Sequence, residues 1–282
     1  MVLKLERFNL EDLATRNTLK VLRHLILQPY LSWGLTELSL ELGISKSNLL
    51  RIFKVLRSQN ILLEVKSKRK KLYRINSELP LIRNYHQLLM EEKRQNINPE
   101  FKNVLDLFYQ QIKDEVQLFV LLGSVARGLE SPQSDLDILL VPKKPLNIDK
   151  YQYLPRRLEV HQYRWEDIED PVDLVVLEAL LHGIVFKGNV FPIISNLRSF
   201  PKAYLIYRLE KAKEFEKKAQ SLEGDARDYY LRLAKVTVGE VESLLRTGKT
   251  VPKAEINIKN LPETVKWIED KLGQEGDRIW IT

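Results

Sequence analysis

Two aspartates, Asp135 and Asp137, open an apolar run that continues from Ile138 to Val141, and an earlier apolar run, Leu118 to Leu122, ends at Gly123-Ser124. The spacing predicts strand, tight turn, short helix, strand. Side chains at i and i+2 of a strand share a face, so Asp135 and Asp137 should converge while Leu136, Ile138 and Leu140 pack on helices behind them. Two like charges held together call for a cation. A seat of hard oxygens suits Mg²⁺, which keeps few carboxylates and completes its shell with water and substrate phosphates. Gly123 lacks a Cβ, so backbone can approach a phosphate, and Ser124 opens a helix whose free N–H groups favour an anion. Gly-Ser or Asp-x-Asp alone is common among turn and surface residues; the joint pattern is far more specific.

With Gly123, Ser124, Asp135 and Asp137 in this order, and Arg127, Gly128 and Ser134 between them, the stretch resembles the nucleotidyltransferases of the DNA polymerase β superfamily, most closely the minimal prokaryotic and archaeal type. The motif spans residues 118 to 141, with looser similarity to about 190. The resemblance implies transfer of a nucleoside monophosphate from an NTP, two Mg²⁺ ions on Asp135 and Asp137, and Gly123, Ser124, Arg127 and Ser134 around the nucleotide. Arg127 could touch the triphosphate or pair with a surface acid. The family also places a third carboxylate on the next strand, Leu158 to Tyr163. Glu159 is the candidate, on one face with His161 and Tyr163, although Asp is the more frequent residue there. Its rival is Asp173. Asp170-Pro171 reads as an N-cap and first helical residue, which makes Asp173 a capping acid and favours Glu159.

The 282 residues predict two or three domains, and 44% hydrophobic residues make the chain globular. With no cysteine, neither disulfides nor thiolate metal sites can form, and His24, His86, His161 and His182 lack paired-ligand spacing, which speaks against zinc. The N-terminus shows no signal-peptide pattern and no apolar run approaches membrane-spanning length, so a cytoplasmic protein without membrane partners is expected. Charge is segregated: net +9 over residues 1–98, −4 over 99–200 and +2 over the rest. Basic excess at the N-terminal end would attract nucleic acid, while the acidic middle surrounds the metal seat.

The elements that position these residues follow in order. Residues 13–28, 36–42 and 45–59 read as helices, with a glycine turn at Gly43 and a Ser45 cap, followed by strand-like runs 61–65 and 72–75. Their order resembles a winged helix-turn-helix. Ser47, Arg51 and Lys54 would project from the third helix, and Lys68, Arg69, Lys70 and Lys71 from the wing, toward phosphates and bases. A linker helix (79–95) ends at the Asn96–Pro99 break, and Pro99 starts an amphipathic helix leading into the Gly-Ser strand. From Pro201 the composition turns helical: 203–222, 225–245 and 261–272. Tyr204, Tyr207, Tyr229 and Tyr230 on these helices read as packing residues rather than base-stacking platforms. The helix pair faintly resembles HEPN domains but lacks an Arg-x4-His motif.

The expected fold is therefore multidomain α+β: winged helix-turn-helix (1–78), linker helix (79–98), nucleotidyltransferase α/β core with a mixed sheet (99–200), and a small helical domain (201–282). The expected function is Mg²⁺-dependent NMP transfer to a nucleic-acid or protein acceptor, with nucleic acid held by residues 1–78 and a homodimer left open. Two alternatives are a regulator that senses nucleotide or a partner while bound to DNA, and an antitoxin-type enzyme that modifies a partner protein.

Overall fold

The computed structural model describes residues 13–66, 71–151, 154–155, 157–247 and 258–280. Helix α1 (Arg16–Leu27) starts where the Thr15 hydroxyl accepts from the Thr18 N–H. After β1 (Trp33–Gly34), α2 (Leu35–Leu42) ends at Gly43, whose φ of 60° needs a residue without Cβ crowding. Helix α3 (Lys46–Ser58) is capped by Ser45 and buries Leu49, Ile52, Phe53 and Leu56. Strands β2 (Leu62–Lys66) and β3 (Lys71–Ile75) pair antiparallel, and β1 joins β3, a two-residue strand too short to show in the sequence pattern. Lys68, Arg69 and Lys70 lie outside the described residues.

Helix α4 (Pro80–Gln95) leads to α5 (Pro99–Ile112), which Asn98 caps. The central sheet then forms from β4 (Val116–Leu122), the single turn α6 (Gly123–Ala126), β5 (Leu136–Pro142) and β6 (Leu158–Gln162). Short α7 (Trp165–Glu169) and α8 (Leu174–His182) precede β7 (Ile184–Lys187), α9 (Phe191–Ser195) and β8 (Ser199–Pro201). The sheet order is β6-β5-β4-β7, with β5 and β6 parallel and the other pairs antiparallel, so the sheet is mixed. Edge strand β7 was not anticipated: four residues directly after a helix carry too little period to be seen.

The two faces of this sheet have different partners. Phe119, Leu121, Leu136, Ile138 and Leu140 pack on α5 through Phe101, Leu105, Phe108 and Ile112. The opposite face, with Val120, Leu122, Leu139 and Val141, joins a cluster that includes Val176, Leu177 and Leu180 of α8. That cluster continues into α10 (Lys202–Gln220), α11 (Gly224–Thr247) and α12 (Leu261–Gln274), and β9 (Arg278–Trp280) closes the region by pairing with β8. The N-terminal unit shares the same buried cluster, with Tyr30 edge-on to Phe200 at 6.1 Å and His86 against Phe191 at 4.7 Å. Asp137 therefore sits on the sheet face that looks toward α8 and the C-terminal helices.

The start of α8 corrects the expected cap. Asp170 terminates α7, and Asp173 is itself the N-cap, accepting from the N–H groups of Val175 at 2.8 Å and Val176 at 3.3 Å. Asp170-Pro171 carries the same cap-then-proline signal, but Asp173 has an added partner, the Tyr163 hydroxyl at 2.7 Å.

Candidate active site

The turn between β4 and β5 is built around one close approach. Gly123 has φ 73°, and a Cβ there would lie 1.9 Å from Asp137 Oδ2, so only glycine allows the aspartate to lie against this backbone. Antiparallel pairing sets Leu122 opposite Asp137, and parallel pairing sets Glu159 beside it on the other flank. His161, two residues along β6, shares the face of Glu159. One ligand atom each from Asp137, Glu159 and His161 lies within 4.8 Å of the others, and His161 Nε2 is 3.7 Å from Glu159 Oε1. These donors suit a divalent cation.

The electrostatics agree. Burial pushes the Asp137 carboxyl up to about 6, and the charges of Glu159 and then Asp135 add to the effect. Among the described residues no lysine or arginine pairs with Asp137 or Glu159. Asp135 lies just before β5 rather than within it, and its carboxylate faces Arg157 at 3.9 Å. The expected convergence of Asp135 and Asp137 is thus looser than strand alternation implied; the close neighbours of Asp137 come from β6.

A cavity of about 370 Å³ opens over the seat. Gly123, Ser124, Arg127, Ser134, Asp137, Glu159 and His161 line one wall; Tyr207, Lys211, Phe215, Lys218, Tyr229 and Tyr230 of α10 and α11 line the other. Of the tyrosines read as packing residues, Tyr204 is fully buried and stacks near Phe200, whereas the other three face this cavity. Hydrogen bonding to Glu214 holds Lys211 above its usual value, with Glu159 among the smaller contributors. Sequence periodicity could not find Tyr207, Lys211 or Tyr230 as site residues, because only the packing of α10 and α11 over the sheet brings them there.

Other sequence-predicted residues have structural partners. Ser134 Oγ accepts from the Ser131 N–H at 2.9 Å and so braces the turn before β5. Arg127 pairs with acids, but with buried ones from α8 and α11 rather than with a surface acid. Its guanidinium donates to both Glu178 oxygens, at 2.9 and 3.2 Å, and lies 3.4 Å from Glu240. Arg208 bonds Glu178 at 2.6 Å and also Glu240, and the Tyr204 hydroxyl reaches Glu178 at 3.3 Å. Arg127 thereby fastens the Gly-Ser turn to α8 and the C-terminal helices. On the N-terminal unit, Ser47, Arg51 and Lys54 are exposed along α3, and exposed Lys71 pairs with Glu64 at 3.2 Å.

The family described as Polymerase beta, Nucleotidyltransferase matches residues 102–191, which carry every strand of the central sheet. This match supports the polymerase β superfamily and a nucleotidyltransferase function for that region. No curated protein matches the chain. Among the described residues, no helix is long and apolar enough to cross a membrane.

Proposed function

We propose that the chain is a divalent-metal-dependent nucleotidyltransferase that moves a nucleoside monophosphate from an NTP to a hydroxyl of a nucleic-acid or protein acceptor. The observation that carries this reading is Asp137, half-buried against Gly123, flanked by Glu159, and facing a cavity with a basic, aromatic far wall. Asp137 and Glu159, with Asp135 beside them, would hold Mg²⁺, which supplies charge neutralisation for the phosphates and acidifies the attacking hydroxyl. Backbone at Gly123, the Ser124 hydroxyl and Lys211 would hold the triphosphate. Tyr207 or Tyr230 would offer the base a face to stack on. The acceptor oxygen forms its bond to the α-phosphorus as the bond to the bridging oxygen breaks, and pyrophosphate leaves. Glu159 takes up the acceptor's proton. It stands on edge strand β6 with half its side chain exposed, so a large acceptor can reach it from solvent.

The test is pyrophosphate release from labelled NTPs with Mg²⁺ and with nucleic-acid and protein acceptors. The expected result is turnover by the wild type that Asp137→Asn and Glu159→Gln abolish, the latter still binding NTP. Retained turnover in Asp137→Asn removes this site from the reaction.

The exposed face of α3 favours a second function for residues 1–78. The α2-Gly43-α3 turn with antiparallel β2 and β3 is read as a winged helix-turn-helix, which would seat Ser47, Arg51 and Lys54 in a groove with Lys71 on flanking phosphate. Duplex DNA binding that weakens steeply with salt, and weakens further in Arg51→Ala/Lys54→Ala, is expected. DNA binding combined with NTP binding and no turnover would turn the reading to a nucleotide-sensing regulator.

A further inference from the structure

We propose that His161 is a ligand of the same metal seat, so that a nitrogen joins two carboxylates there and the site favours Mn²⁺ or Co²⁺ over the Mg²⁺ that its aspartates alone imply. This inference rests on the metal-site reading above. Parallel pairing puts Asp137 level with Glu159, and the alternation of β6 brings His161 onto the same face. The ligand atoms of the three lie within 4.8 Å of one another. Donors around a small divalent ion sit roughly 3–4 Å apart, from bond lengths of about 2.1 Å, so a small contraction of this set would close on an ion. All three side chains line the cavity, which leaves the remaining coordination positions facing substrate and water.

Asp135 stands outside this set, before β5 and facing Arg157. Among the described His and acidic side chains, the third donor grouped with Asp137 and Glu159 is an imidazole. Imidazole nitrogen binds transition ions in the Irving–Williams order, whereas Mg²⁺ prefers oxygen and retains its water. The structural alternative is that His161 merely pairs with Glu159 at 3.7 Å. That role would leave metal selectivity untouched when His161 is removed.

Titration of the full-length protein with Co²⁺, Mn²⁺ and Mg²⁺ by calorimetry, with the visible absorption of bound Co²⁺ as a second readout, separates the two. His161→Ala and the more conservative His161→Gln should each lower Co²⁺ and Mn²⁺ affinity by about tenfold or more, leave Mg²⁺ affinity within about twofold, and change the Co²⁺ spectrum. Unchanged Co²⁺ affinity and spectrum in both variants, with binding still lost in Asp137→Asn, overturns the His161 assignment and leaves the carboxylate seat standing. If the wild type binds none of the three ions, or Asp137→Asn binds them all as the wild type does, the metal-site reading falls and this inference with it.

Discussion

Two groups of acids near one cavity stand on opposite terms, with Glu178 of one group and Asp137 and Glu159 of the other in its lining. Glu178 and Glu240 are buried and matched by Arg127 and Arg208 in a quartet of ion pairs. Burial alone would raise the Glu178 carboxyl, but Arg208 and Arg127 override it and hold it below its ordinary value. Asp137 is half-buried, its charged neighbours are Glu159 and Asp135, and it is pushed up to about 6. Arg127 stands only three residues past Ser124 in the turn that begins against Asp137, so the chain had a guanidinium at hand and turned it the other way. Acids that hold elements together are given cations by the fold. The acids beside Gly123 have no such cation within the fold's ion pairs, and under the proposed function a metal ion would supply it.

The harshest way to break this contrast is to remove a cation from the quartet. Arg208→Met leaves two buried carboxylates sharing Arg127, and losing one partner of a buried network costs about 3–5 kcal/mol. Denaturant unfolding should show that loss, and adding Glu240→Met to Arg208→Met should recover a good part of it, because the uncompensated charge is gone. If Arg208→Met unfolds like the wild type, the quartet is not what joins α8 to α10 and α11.

Asp137→Asn should act in the opposite direction. With a carboxyl pushed from 3.8 to about 6, the folded protein holds a proton that the unfolded chain releases between these values, so ionisation above about pH 6 destabilises the metal-free fold. Removing that charge should stabilise the protein at pH 7 by on the order of 1–2 kcal/mol after allowance for solvent screening. The wild type in chelator should accordingly gain stability as pH falls from 7 to 5. Glu178, depressed by its arginines, gives the reverse: its contribution is intact at neutral pH and is lost only as pH falls through its lowered value. Melting temperatures across pH, with and without chelator, check both signs. A divalent ion should erase the gain on mild acidification, since it holds Asp137 ionised.

How far the sequence disclosed this arrangement depends on range. Local signals served well: Ser45 caps a helix, Gly43 ends one, Pro99 starts one, and the apolar periods mark α3, α5, α10 and α11 to within a residue or two, whereas the Thr15 and Asn98 caps went unread. The Gly-Ser and Asp-x-Asp pattern pointed to the candidate site because its residues are compressed into one turn and the two strands it joins. Pairings across the chain stayed hidden. Nothing near Arg127 marks Glu178 or Glu240 as its partners, and Lys211 and Tyr207 reach the cavity only through tertiary packing. His161 was on the right face of its strand beside Glu159, but its nearness to Asp137 depends on the β5–β6 register, which no local pattern specifies.

Asp173 sharpens the comparison with the smallest effect. It is a third type of acid, satisfied by hydrogen-bond donors instead of cations: the Val175 and Val176 N–H groups and the Tyr163 hydroxyl. If donors suffice to make an acid structural, Asp173 belongs with Glu178 and not with Asp137, and its charge should matter less than its shape. Asp173→Asn keeps a capping oxygen, so it should shift stability by no more than about 0.5 kcal/mol, while Asp173→Ala, which loses the cap, should cost about 1 kcal/mol. Tyr163→Phe should cost a similar amount or less, about 0.5–1.5 kcal/mol, and should not add fully to Asp173→Ala, because both remove the same bond. None of the three should alter Co²⁺ or Mg²⁺ affinity. Metal binding lost in Asp173→Asn alone would move Asp173 into the group beside Gly123 and dissolve the distinction between acids the fold satisfies and acids it leaves open.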